Sequence, residues 1–543
     1  MTRPSIIILE PEEGARGEIR AAAEGAVLSK VLSVHGHPLN TRCGERGLCR
    51  GCEVVLTEGS LLVDNAAVTA PATLRACRAR LRGPVTIAVP QRSRIEHKPQ
   101  VGETFEIAVP YAHDPLFAPR GSRDTGFAVD IGTTTVVVLL VDLTNGEILS
   151  RAGGFNEQIR FGDNVLTRID AGRTPEAVAE MQAAVVCETF VPLLVQACGK
   201  AGRGFDRIAG GTIAGNTTML HLLAGVDPTP LGIAPFTARF LTGRTMVVSD
   251  IGFTGDGMPP ETPIQLLPSI AGYIGADITA GALATGMIFD SAPSLLVDIG
   301  TNGEIVLQHG GILTACATAA GPAFEGSGLK CGTRARDGAV SDIALSLDPF
   351  EIESKIIGGV PLSRASGICG SAYIDFLSTA REAGLLGHAG RFLPEAWDTL
   401  PENHRYIDEN RRLGLRLGAN HPLFVSEVDV ALLLQAKAAI GAGIETLLET
   451  AGIRAGEISK LYLAGGFGMH LDVSHAIACG LLPGFKPEQV RVVGNTSLAG
   501  ALLALIDRNT LDEMETLRER VDVIELNLVE DFEDRYIEHL LLP

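Results

Sequence analysis

The sequence lacks the features that mark membrane, secreted and nucleic-acid-binding proteins. No uninterrupted apolar run reaches the roughly 18 residues of a membrane helix. The N-terminal stretch carries Pro4 and three acidic residues where a signal peptide needs apolar and then small residues. The chain also lacks an excess of positive charge, since its net charge is −19. An acidic surface of this kind repels nucleic-acid phosphates. We therefore expect a cytoplasmic protein that binds neither membranes nor nucleic acid.

Aromatic residues are scarce, with one Trp and 5% Phe, Trp and Tyr together, whereas glycine is abundant at 63 residues. This composition is typical of glycine-turned α/β domains and not of disordered chains. A chain of 543 residues is also too long for one hydrophobic core. The charge is uneven, since the first 100 residues carry +4 and the remainder −23. These observations predict at least two parts with different chemistry.

The first part reads as a small α+β unit with a cysteine-rich loop. SIIILE, EVVLTEG and PVTIAVP have strand composition, and AAAEGAVLSKVLSVHG has helical spacing. The loop TRCGERGLCRGC places three cysteines close together, and a fourth follows after EVVLTEG: Cys43, Cys49, Cys52 and Cys77. The remaining cysteines are scattered through apolar or glycine-rich segments, which is typical of small buried hydrophobic residues: Cys187, Cys198, Cys316, Cys331, Cys369 and Cys479.

The grouping of three thiols plus one favours an iron–sulfur cluster. Glycines between the cysteines let backbone N–H groups turn toward sulfur. Zinc is the competing metal, because four cysteines also form tetrahedral zinc sites. Zinc sites, however, usually have their cysteine ligands in two pairs. The loop resembles plant-type and adrenodoxin-type ferredoxins over about residues 1–90. That resemblance implies a β-grasp fold and a [2Fe–2S] cluster held by Cys43, Cys49, Cys52 and Cys77.

Residues 93–124 are rich in proline and show little periodicity apart from FEIAV, which is predicted to be a short strand. We interpret them as a linker between a module at residues 1–92 and a larger body. A tether of this kind would let the module move relative to the body.

The larger body contains an internal repeat. AVDIGTTTVVVLL and LLVDIGTNGEIVL each read as a strand that carries D-I-G-T, and GNTT at Gly215 is repeated as GNTS at Gly494. The asparagines of the second pair lie farther apart than the aspartates of the first pair, which predicts an insertion in the second copy within residues 340–425. Two α/β lobes are therefore expected, at residues 125–292 and 293–543, with a cleft between them.

The D-I-G-T element suits phosphate binding. Backbone N–H groups after Gly132 and Gly300 can approach phosphate oxygens closely, and threonine hydroxyls add donors. The aspartates beside them can hold Mg²⁺ directly or through water. The candidate residues are Asp130, Gly132, Thr133, Thr134, Asp298, Gly300 and Thr301.

A third element, KLYLAGGFGMHLD, runs from an apolar strand into Gly465, Gly466, Phe467 and Gly468. Such a loop allows a flat base to lie against the backbone, although it is also an ordinary strand-to-helix turn. The P-loop pattern is absent. In their order, the three elements resemble the phosphate 1, phosphate 2 and adenosine motifs of the superfamily of acetate and sugar kinases, Hsp70 and actin (ASKHA). The resemblance covers residues 125–543 and implies a two-lobed α/β ATPase.

The segment SIAGYIGADITAGALATGMIF predicts a helix of small residues that runs from the first lobe to the second. Asp277 opens this helix and is our first candidate for the acid that orients an attacking water, with Glu304 as the second. An aspartate in the first turn of a helix is also commonly a cap that complements the helix dipole.

The joining of a ferredoxin to such an ATPase resembles the reductive activators of corrinoid proteins over essentially the whole chain. FNEQIRFGDNVLTRI, AGNTTMLHLL, TAAGPAFEGSGLKCG, GICGS and LAGGFG carry this resemblance. It implies ATP-dependent electron transfer from the [2Fe–2S] cluster to Co(II) on a corrinoid-binding partner protein, giving Co(I). It also implies Mg²⁺, an upstream low-potential electron donor and a role for Asn302 at the nucleotide, and it leaves room for a homodimer. TAAGPAFEG and GICGS have no role assigned.

Three other functions fit parts of the pattern. The cleft suits a ferredoxin-tethered kinase of a small metabolite, which would release ADP only with its substrate. Activators of 2-hydroxyacyl-CoA dehydratases use a similar ATPase, but they hold a [4Fe–4S] cluster between two subunits and lack a separate cysteine-rich module. A chaperone-like ATPase would need no redox-active cluster.

Overall fold

The computed structural model describes residues 5–10, 17–37, 39, 45, 47, 52–90, 93, 105–109, 111–253, 257–468 and 471–543. The chain forms two compact units. One contains Met1–Lys98 together with Gln158–Ala171, and the other contains Pro99–Glu157 together with Gly172–Pro543.

The N-terminal unit contains a five-stranded sheet with the order β2-β1-β8-β3-β6, in which β1 and β8 are parallel. A second sheet has the order β5-β4-β7. The elements are β1 (Ser5–Glu10), β2 (Gly17–Ala22), α1 (Leu28–Val34), β3 (Glu53–Glu58), β4 (Ser60–Val63), β5 (Ala66–Thr69), β6 (Ala72–Arg75), β7 (Ala79–Leu81) and β8 (Val85–Ala88). Leu28 and Leu32 of α1 pack with Leu56 and Ile87 of the sheet. This arrangement is compatible with the expected ferredoxin-like fold. Helix α2 (Val165–Ala171) belongs to the separate segment of the same unit.

Helix α1 is shorter than the helical spacing of AAAEGAVLSKVLSVHG predicts. Ala21 and Ala22 end β2, and the helix begins only at Leu28. Gly25 has φ +86°, a left-handed conformation that interrupts a helix, and its N–H donates to the Leu81 carbonyl at 2.8 Å. A turn anchored to β7 therefore replaces the first part of the predicted helix.

The first lobe of the body is a six-stranded sheet with the order β11-β10-β9-β12-β14-β13. Its strands are β9 (Thr125–Ile131), β10 (Thr135–Asp142), β11 (Ile148–Phe155), β12 (Ile208–Gly215), β13 (Arg244–Val247) and β14 (Pro263–Leu266). Strands β9 to β11 form an antiparallel meander, while β12 and β14 run parallel to β9. The helices are α3 (Pro175–Val185), α4 (Val191–Ala201), α5 (Thr217–Leu223) and α6 (Ala276–Ala284), and a π-helical turn, Val186–Phe190, joins α3 to α4.

The second lobe repeats this plan. Strand β15 pairs with an antiparallel meander on one side and with two parallel strands on the other, in the order β25-β24-β15-β16-β17-β26. Its strands are β15 (Ser294–Ile299), β16 (Gly303–His309), β17 (Ile312–Thr318), β24 (Lys460–Ala464), β25 (Val490–Gly494) and β26 (Val521–Val523). Asp130 and Asp298 therefore occupy equivalent places, near the ends of β9 and β15. The structure thus agrees with the two-lobed ASKHA fold class.

The insertion in the second lobe contains two small sheets, with the orders β19-β18-β20 and β21-β22-β23. Their strands are β18 (Ala339–Leu347), β19 (Phe350–Ile356), β20 (Gly367–Ile368), β21 (Arg405–Ile407), β22 (Leu413–Arg416) and β23 (Phe424–Ser426). The helices of this lobe are α7 (Gly370–Glu382), α8 (Pro394–Trp397), α9 (Glu427–Thr450), α10 (Val473–Ala478), α11 (Thr496–Ile506), α12 (Asn509–Arg520) and α13 (Phe532–His539).

The tetrapeptides GNTT and GNTS are not equivalent in the repeat, contrary to the sequence-based prediction. GNTT follows β12, the fourth strand of the first lobe, whereas GNTS follows β25, the fifth strand of the second. The counterpart of GNTT is the loop that starts at Gly465, after β24. The two pairs therefore differ in spacing partly because they mark different strands.

Helices α6 and α11 each pack against the sheet of the other lobe. Ile278 and Ala282 of α6 share a core cluster with Leu296 and Val306 of the second lobe. In the other direction, α11 packs against β9 and β12 of the first lobe. The two helices cross closely, since a Cβ on Gly281 would lie 2.6 Å from Thr496 Oγ1. The predicted small-residue helix thus reaches the second lobe, although it spans only Ala276–Ala284.

Residues 105–109 and 111–124 differ from the expected linker because they are bound to the body. The Ala108 N–H donates to the Ala284 carbonyl and the Leu116 N–H to the Leu505 carbonyl, each at 2.9 Å. Arg508 forms an ion pair with Asp114 at 2.9 Å. Phe105 forms an isolated bridge with Gly494 in place of the expected strand FEIAV. This proline-rich segment lacks a periodic apolar pattern, and its backbone hydrogen bonds to the body hold it in place instead.

Two helical stretches, Pro175–Ala201 and Glu427–Thr450, are long and apolar enough to cross a membrane by length and composition. Half of the residues in the first are buried inside the protein, as are most of those in the second. The core helices of folded domains pass the same test, so this is weak evidence for a membrane span.

Candidate functional site

Two of the four predicted cluster ligands lie together in the N-terminal unit. Cys52 immediately precedes β3, and Cys77 lies in the 3₁₀ turn Ala76–Arg78. The Ala76 N–H donates to the Cys52 carbonyl at 3.0 Å, which holds the two segments side by side. A hydrogen bond with Cys77 lowers the pKa of Cys52 to about 6 despite its burial. Such a thiol is readily available as a thiolate ligand.

Cys43 and Cys49 lie outside the described residues. Among the other cysteines, Cys198, Cys316, Cys369 and Cys479 are buried as expected, whereas Cys187 and Cys331 are partly exposed. The described part of the first unit therefore fits a thiolate-bound group at Cys52 and Cys77.

In the body, a cleft of about 760 Å³ opens between the two sheets. It gathers the ends of β9, β15 and β24, because parallel strands bring their carboxyl ends to one edge of a sheet. The predicted residues that line it are Asp130, Gly132, Thr133, Thr134, Asp277, Asp298, Gly300, Thr301, Asn302, Glu304, Gly465, Gly466 and Phe467. Gly468 is the exception, since it lies against the Leu463 side chain behind the loop.

The loop after β24 approaches the second D-I-G-T turn closely. Gly465 has φ +93°, and a Cβ there would collide with the Ile299 carbonyl oxygen and lie 2.8 Å from an Asp298 carboxylate oxygen. Phe467 stacks on Phe324 with ring centroids 4.9 Å apart. Only glycine fits at position 465, so the first glycine of the loop is required by packing.

Four acidic side chains face one another in this cleft. Burial, and after it the charge of the Asp130 carboxylate, raise the pKa of Asp298 to about 7. Burial also raises the pKa of Asp277 to about 8, with the Asp298 and Asp130 charges as the next causes. The pKa of Glu304 lies well above its usual range because of burial and then the Asp277 and Asp298 charges. The cluster therefore keeps protons near neutral pH unless a cation replaces them.

Asp130 differs from the other acids because its carboxylate is held by partners. Asn495 Nδ2 donates to it at 2.8 Å and Ser497 Oγ at 2.7 Å. Burial still raises the pKa of Asp130, and these two hydrogen bonds oppose that rise. Asn495 also caps α11 by accepting the Leu498 N–H at 2.8 Å. The first D-I-G-T turn is thus bonded to the start of a helix from the second half of the chain.

Asp277 occupies a position compatible with both roles considered from the sequence. Its carboxylate lines the cleft, and Oδ1 accepts the Ile278 N–H at 2.9 Å in the first turn of α6. Its neutral form near pH 7 would not act as a base until the charge of the cluster is reduced. Within the described ranges, no three histidine, cysteine or acidic side chains form a preassembled metal site.

The threonines are already hydrogen-bonded across the cleft. Asn216 Nδ2 donates to Thr133 Oγ1 at 2.9 Å. Thr134 and Thr301 both donate to the carboxylate of Glu325, at 2.9 and 2.6 Å. Glu325 also pairs with Arg334 at 3.4 Å. The carboxylate of Glu325 therefore joins the phosphate turns of the two lobes.

Sequence reasoning assigned no role to Asn216, Glu325, Arg334, Asn495 or Ser497, all of which line the cleft. A signal existed for most of them, since GNTT and GNTS were recognised as a repeated pattern and Glu325 lies in TAAGPAFEG. Only their contacts with Asp130 and the threonines, far away in sequence, reveal what these residues do.

Comparisons with known proteins match the body in two segments. Residues 125–289 match the family described as the RACo middle region, and residues 292–543 match the family described as the C-terminal domain of RACo, the ASKHA domain. The chain is 33% identical over 442 residues to the corrinoid activation enzyme RamQ of Eubacterium limosum, covering 78% of this chain and 73% of that protein.

A second relative comes from Methanosarcina barkeri and is named [Co(II) methylated amine-specific corrinoid protein] reductase. It is 28% identical over 443 residues, covering 76% of each chain. A solved structure, described as a reductive activator for a corrinoid, iron–sulfur protein, superimposes with a TM-score of 0.72 at 29% identity. That superposition covers 99% of this chain and 98% of the other.

Proposed function

Since the chain belongs to the RACo family, we propose that it is a reductive activator of a corrinoid protein that uses ATP to drive an electron from a [2Fe–2S] cluster to Co(II). The observation that carries the proposal is the occurrence in one such chain of two adjacent thiols, Cys52 with a lowered pKa and its hydrogen-bond partner Cys77, and of an acidic cleft built from two D-I-G-T turns. The first supplies redox ligands and the second a nucleotide site.

In the nucleotide site, each D-I-G-T turn would hold one part of the phosphate chain. Thr133, Thr134 and Thr301 would donate to phosphate oxygens, and the loop at Gly465–Phe467 would bound the adenosine. Mg²⁺ would neutralise the Asp298 carboxylate and the phosphates together, since carboxylate oxygens are preferred ligands of this ion. The raised pKa of Asp298 supports this role, because deprotonation then accompanies cation binding.

Asp277 remains our candidate for orienting an attacking water, with Glu304 as the alternative. Both line the cleft, and Asp277 belongs to α6, which packs between the lobes. Once Mg²⁺ lowers the negative charge, the pKa of Asp277 would fall toward its ordinary value and the carboxylate could accept a proton.

Cys43, Cys49, Cys52 and Cys77 would bind the cluster in the N-terminal unit. A plant-type [2Fe–2S] cluster supplies one electron at about −400 mV when bound. A corrinoid acceptor that lies about 200 mV lower costs about 5 kcal/mol for one electron, which is within the reach of nucleotide binding. This gap is the physical reason for joining an ATPase to a ferredoxin-like module.

The substrate of the enzyme is the Co(II) form of a corrinoid-binding protein. We further propose that an upstream low-potential donor reduces the cluster, that the enzyme works in the cytoplasm and that it assembles as a homodimer. Size-exclusion chromatography with light scattering would test the assembly.

The proposal is tested by mixing anaerobic protein with purified Co(II) corrinoid proteins, reductant and Mg-ATP. Catalytic amounts should convert the Co(II) absorbance to that of Co(I), and omission of ATP should slow or stop the conversion. The purified protein should contain about two irons and two sulfides. Stoichiometric zinc, or no conversion with any corrinoid protein, would contradict the proposal.

Cysteine variants separate the redox role from the ATPase. Cys49→Ser and Cys52→Ser should lose or shift the paramagnetic signal of the reduced cluster and still bind ATP. Cys187→Ser, at a partly exposed cysteine of the body, is the matched control and should keep both properties.

A further inference from the structure

A short turn connects both ends of the proposed nucleotide site. The 3₁₀ turn Pro322–Glu325 is flanked by Gly321 and Gly326, both with positive φ. Phe324 is buried and stacks on Phe467 of the loop after β24, at the adenosine end. The next residue, Glu325, bonds both phosphate turns. Two consecutive side chains therefore contact opposite parts of the site.

The hydrogen bonds of Glu325 use the donors that a phosphate would need. A threonine hydroxyl carries a single hydrogen. Thr134 Oγ1 donates to one oxygen of Glu325 at 2.9 Å and Thr301 Oγ1 donates to the other at 2.6 Å. The two hydroxyl oxygens lie 3.2 Å apart, so the carboxylate bridges them. While Glu325 remains there, neither hydroxyl can donate to a nucleotide.

The charge at this point also matches that of a phosphate. Only 17% of the Glu325 side chain is exposed, and Arg334 pairs with it at 3.4 Å. Among the described residues that line the cleft, Arg334 is the one lysine or arginine. The guanidinium is held over the Phe155 ring at 5.0 Å. Glu325 therefore binds the two threonine hydroxyls and the Arg334 guanidinium, which could otherwise attract a phosphate.

We propose that Glu325 is an internal substitute for a nucleotide phosphate, a positioning residue that Mg-ATP must displace from Thr134, Thr301 and Arg334. This inference rests on the proposed nucleotide site. Displacement would release the threonine hydroxyls to the phosphate, and Arg334 would exchange a carboxylate partner for a phosphate partner. Because Glu325 follows Phe324 directly, its movement would be transmitted to Phe467 and the adenosine loop.

Removal of Glu325 should therefore improve nucleotide binding in a manner that depends on the phosphates. In calorimetry with the full-length protein, Glu325→Ala should bind Mg-ATP about tenfold more tightly than wild type, since one charged hydrogen-bond arrangement no longer has to be broken. Glu325→Gln, which keeps the shape and removes the charge, should shift in the same direction by a smaller factor. Adenosine should bind all of these proteins equally.

Two controls isolate the effect. Glu353→Gln changes an exposed glutamate on β19 and should leave Mg-ATP binding unchanged. In the Thr301→Val background, Glu325→Ala should lose part of its gain, because the hydroxyl that it competes for is gone. Such coupling would not arise if Glu325 acted only through general stability.

The outcomes distinguish this inference from the proposed function. If wild type fails to bind Mg-ATP, the proposed nucleotide site is wrong. If wild type binds Mg-ATP but both Glu325 variants bind it equally well or more weakly, Glu325 does not compete with phosphate and the inference is overturned. An equal gain for adenosine would also overturn it, because the gain would then be independent of phosphate.

Discussion

The two D-I-G-T turns have the same sequence and equivalent places in the sheets, yet their aspartates are in different environments. Asp130 accepts hydrogen bonds from Asn495 and Ser497, which tie it to the start of α11. Asp298 has no such donors among the described residues, and burial raises its pKa to about 7. The repeat therefore supplies one anchored carboxylate and one carboxylate available to a cation.

This difference follows from the exchange of helices between the lobes. Helix α11 packs on the first sheet, so its first turn lies beside Asp130. The corresponding helix α6 follows Gly275 and begins at Ala276, and its acidic residue Asp277 faces the cluster in place of an amide and a hydroxyl. A sequence repeat thus fixes the positions of two groups without giving them the same chemistry.

The largest expected effect separates the two aspartates by activity. Asp298→Asn should reduce ATP turnover by about 100-fold, because an interaction with the cation and phosphates is lost in the transition state. Asp130→Asn should reduce turnover less and should lower the melting temperature, because its buried donors lose an acceptor. Phosphate release and thermal unfolding measure the two effects. Equal changes in ATP turnover and in melting temperature for both variants would contradict the different roles of the two aspartates.

The second prediction concerns pH. The folded-state pKa values of Asp298 and Asp277, about 7 and about 8, lie above the value of 3.8 for an ordinary aspartate. The folded protein therefore binds more protons than the unfolded chain, and stability is lost as pH rises through these values. Without nucleotide, the two groups together should lower the free energy of unfolding by about 7 kcal/mol between pH 5 and pH 9.

Urea unfolding of the wild type and of two variants at each pH measures this decrease and tests whether it arises from the second lobe. Asp298→Asn should flatten the decrease between pH 6 and pH 8, and Mg-ATP should also reduce it. Exposed Asp348→Asn serves as the control and should keep the wild-type slope. Stability that rises over this range in wild type would contradict the assigned directions.

A third prediction tests the anchor. Asn495→Ala or Ser497→Ala should each lower the free energy of unfolding by about 1 to 2 kcal/mol, since each removes a donor to a buried carboxylate. Each should also raise the pKa of Asp130, so the loss should be larger at pH 8 than at pH 5. Urea unfolding at both pH values is the measurement. A pH-independent loss would mean that Asp130 does not change its protonation state between pH 5 and pH 8.

The smallest expected effect lies at Thr133. Asn216→Ala removes the donor that orients this hydroxyl, and we expect the KM for ATP to rise by about threefold, as for loss of one neutral hydrogen bond. The turnover number should remain close to that of wild type. A large fall in turnover with an unchanged KM would instead place Asn216 in the chemical step.

The sequence was sufficient to predict the two lobes and most of the cleft because D-I-G-T and GGFG stand at strand ends, where short motifs determine local backbone geometry. Residues that act through distant contacts were not predictable in this way. Asn495 and Asp130 are 365 residues apart, and no local pattern identifies their hydrogen bond. Glu325 is likewise bonded to Thr134 across the lobes.

Local signals also failed where tertiary bonding overrode them. Gly25 shortens α1, and residues 105–109 and 111–124 are bound to the body although their composition is typical of a linker. The tetrapeptides GNTT and GNTS look equivalent but follow different strands. In each case, pairing with a distant strand or helix decides the local structure, and composition alone carries no information on that partner.

We propose that the electron for cobalt comes from the cluster of this protein and that ATP controls its transfer. The most direct test is a single turnover in which the protein is reduced, freed of reductant and mixed with the Co(II) corrinoid partner, with and without Mg-ATP. The paramagnetic signals of the reduced cluster and of Co(II) should disappear in equal amounts only when Mg-ATP is present. Formation of Co(I) while the signal of the reduced cluster persists would contradict the account.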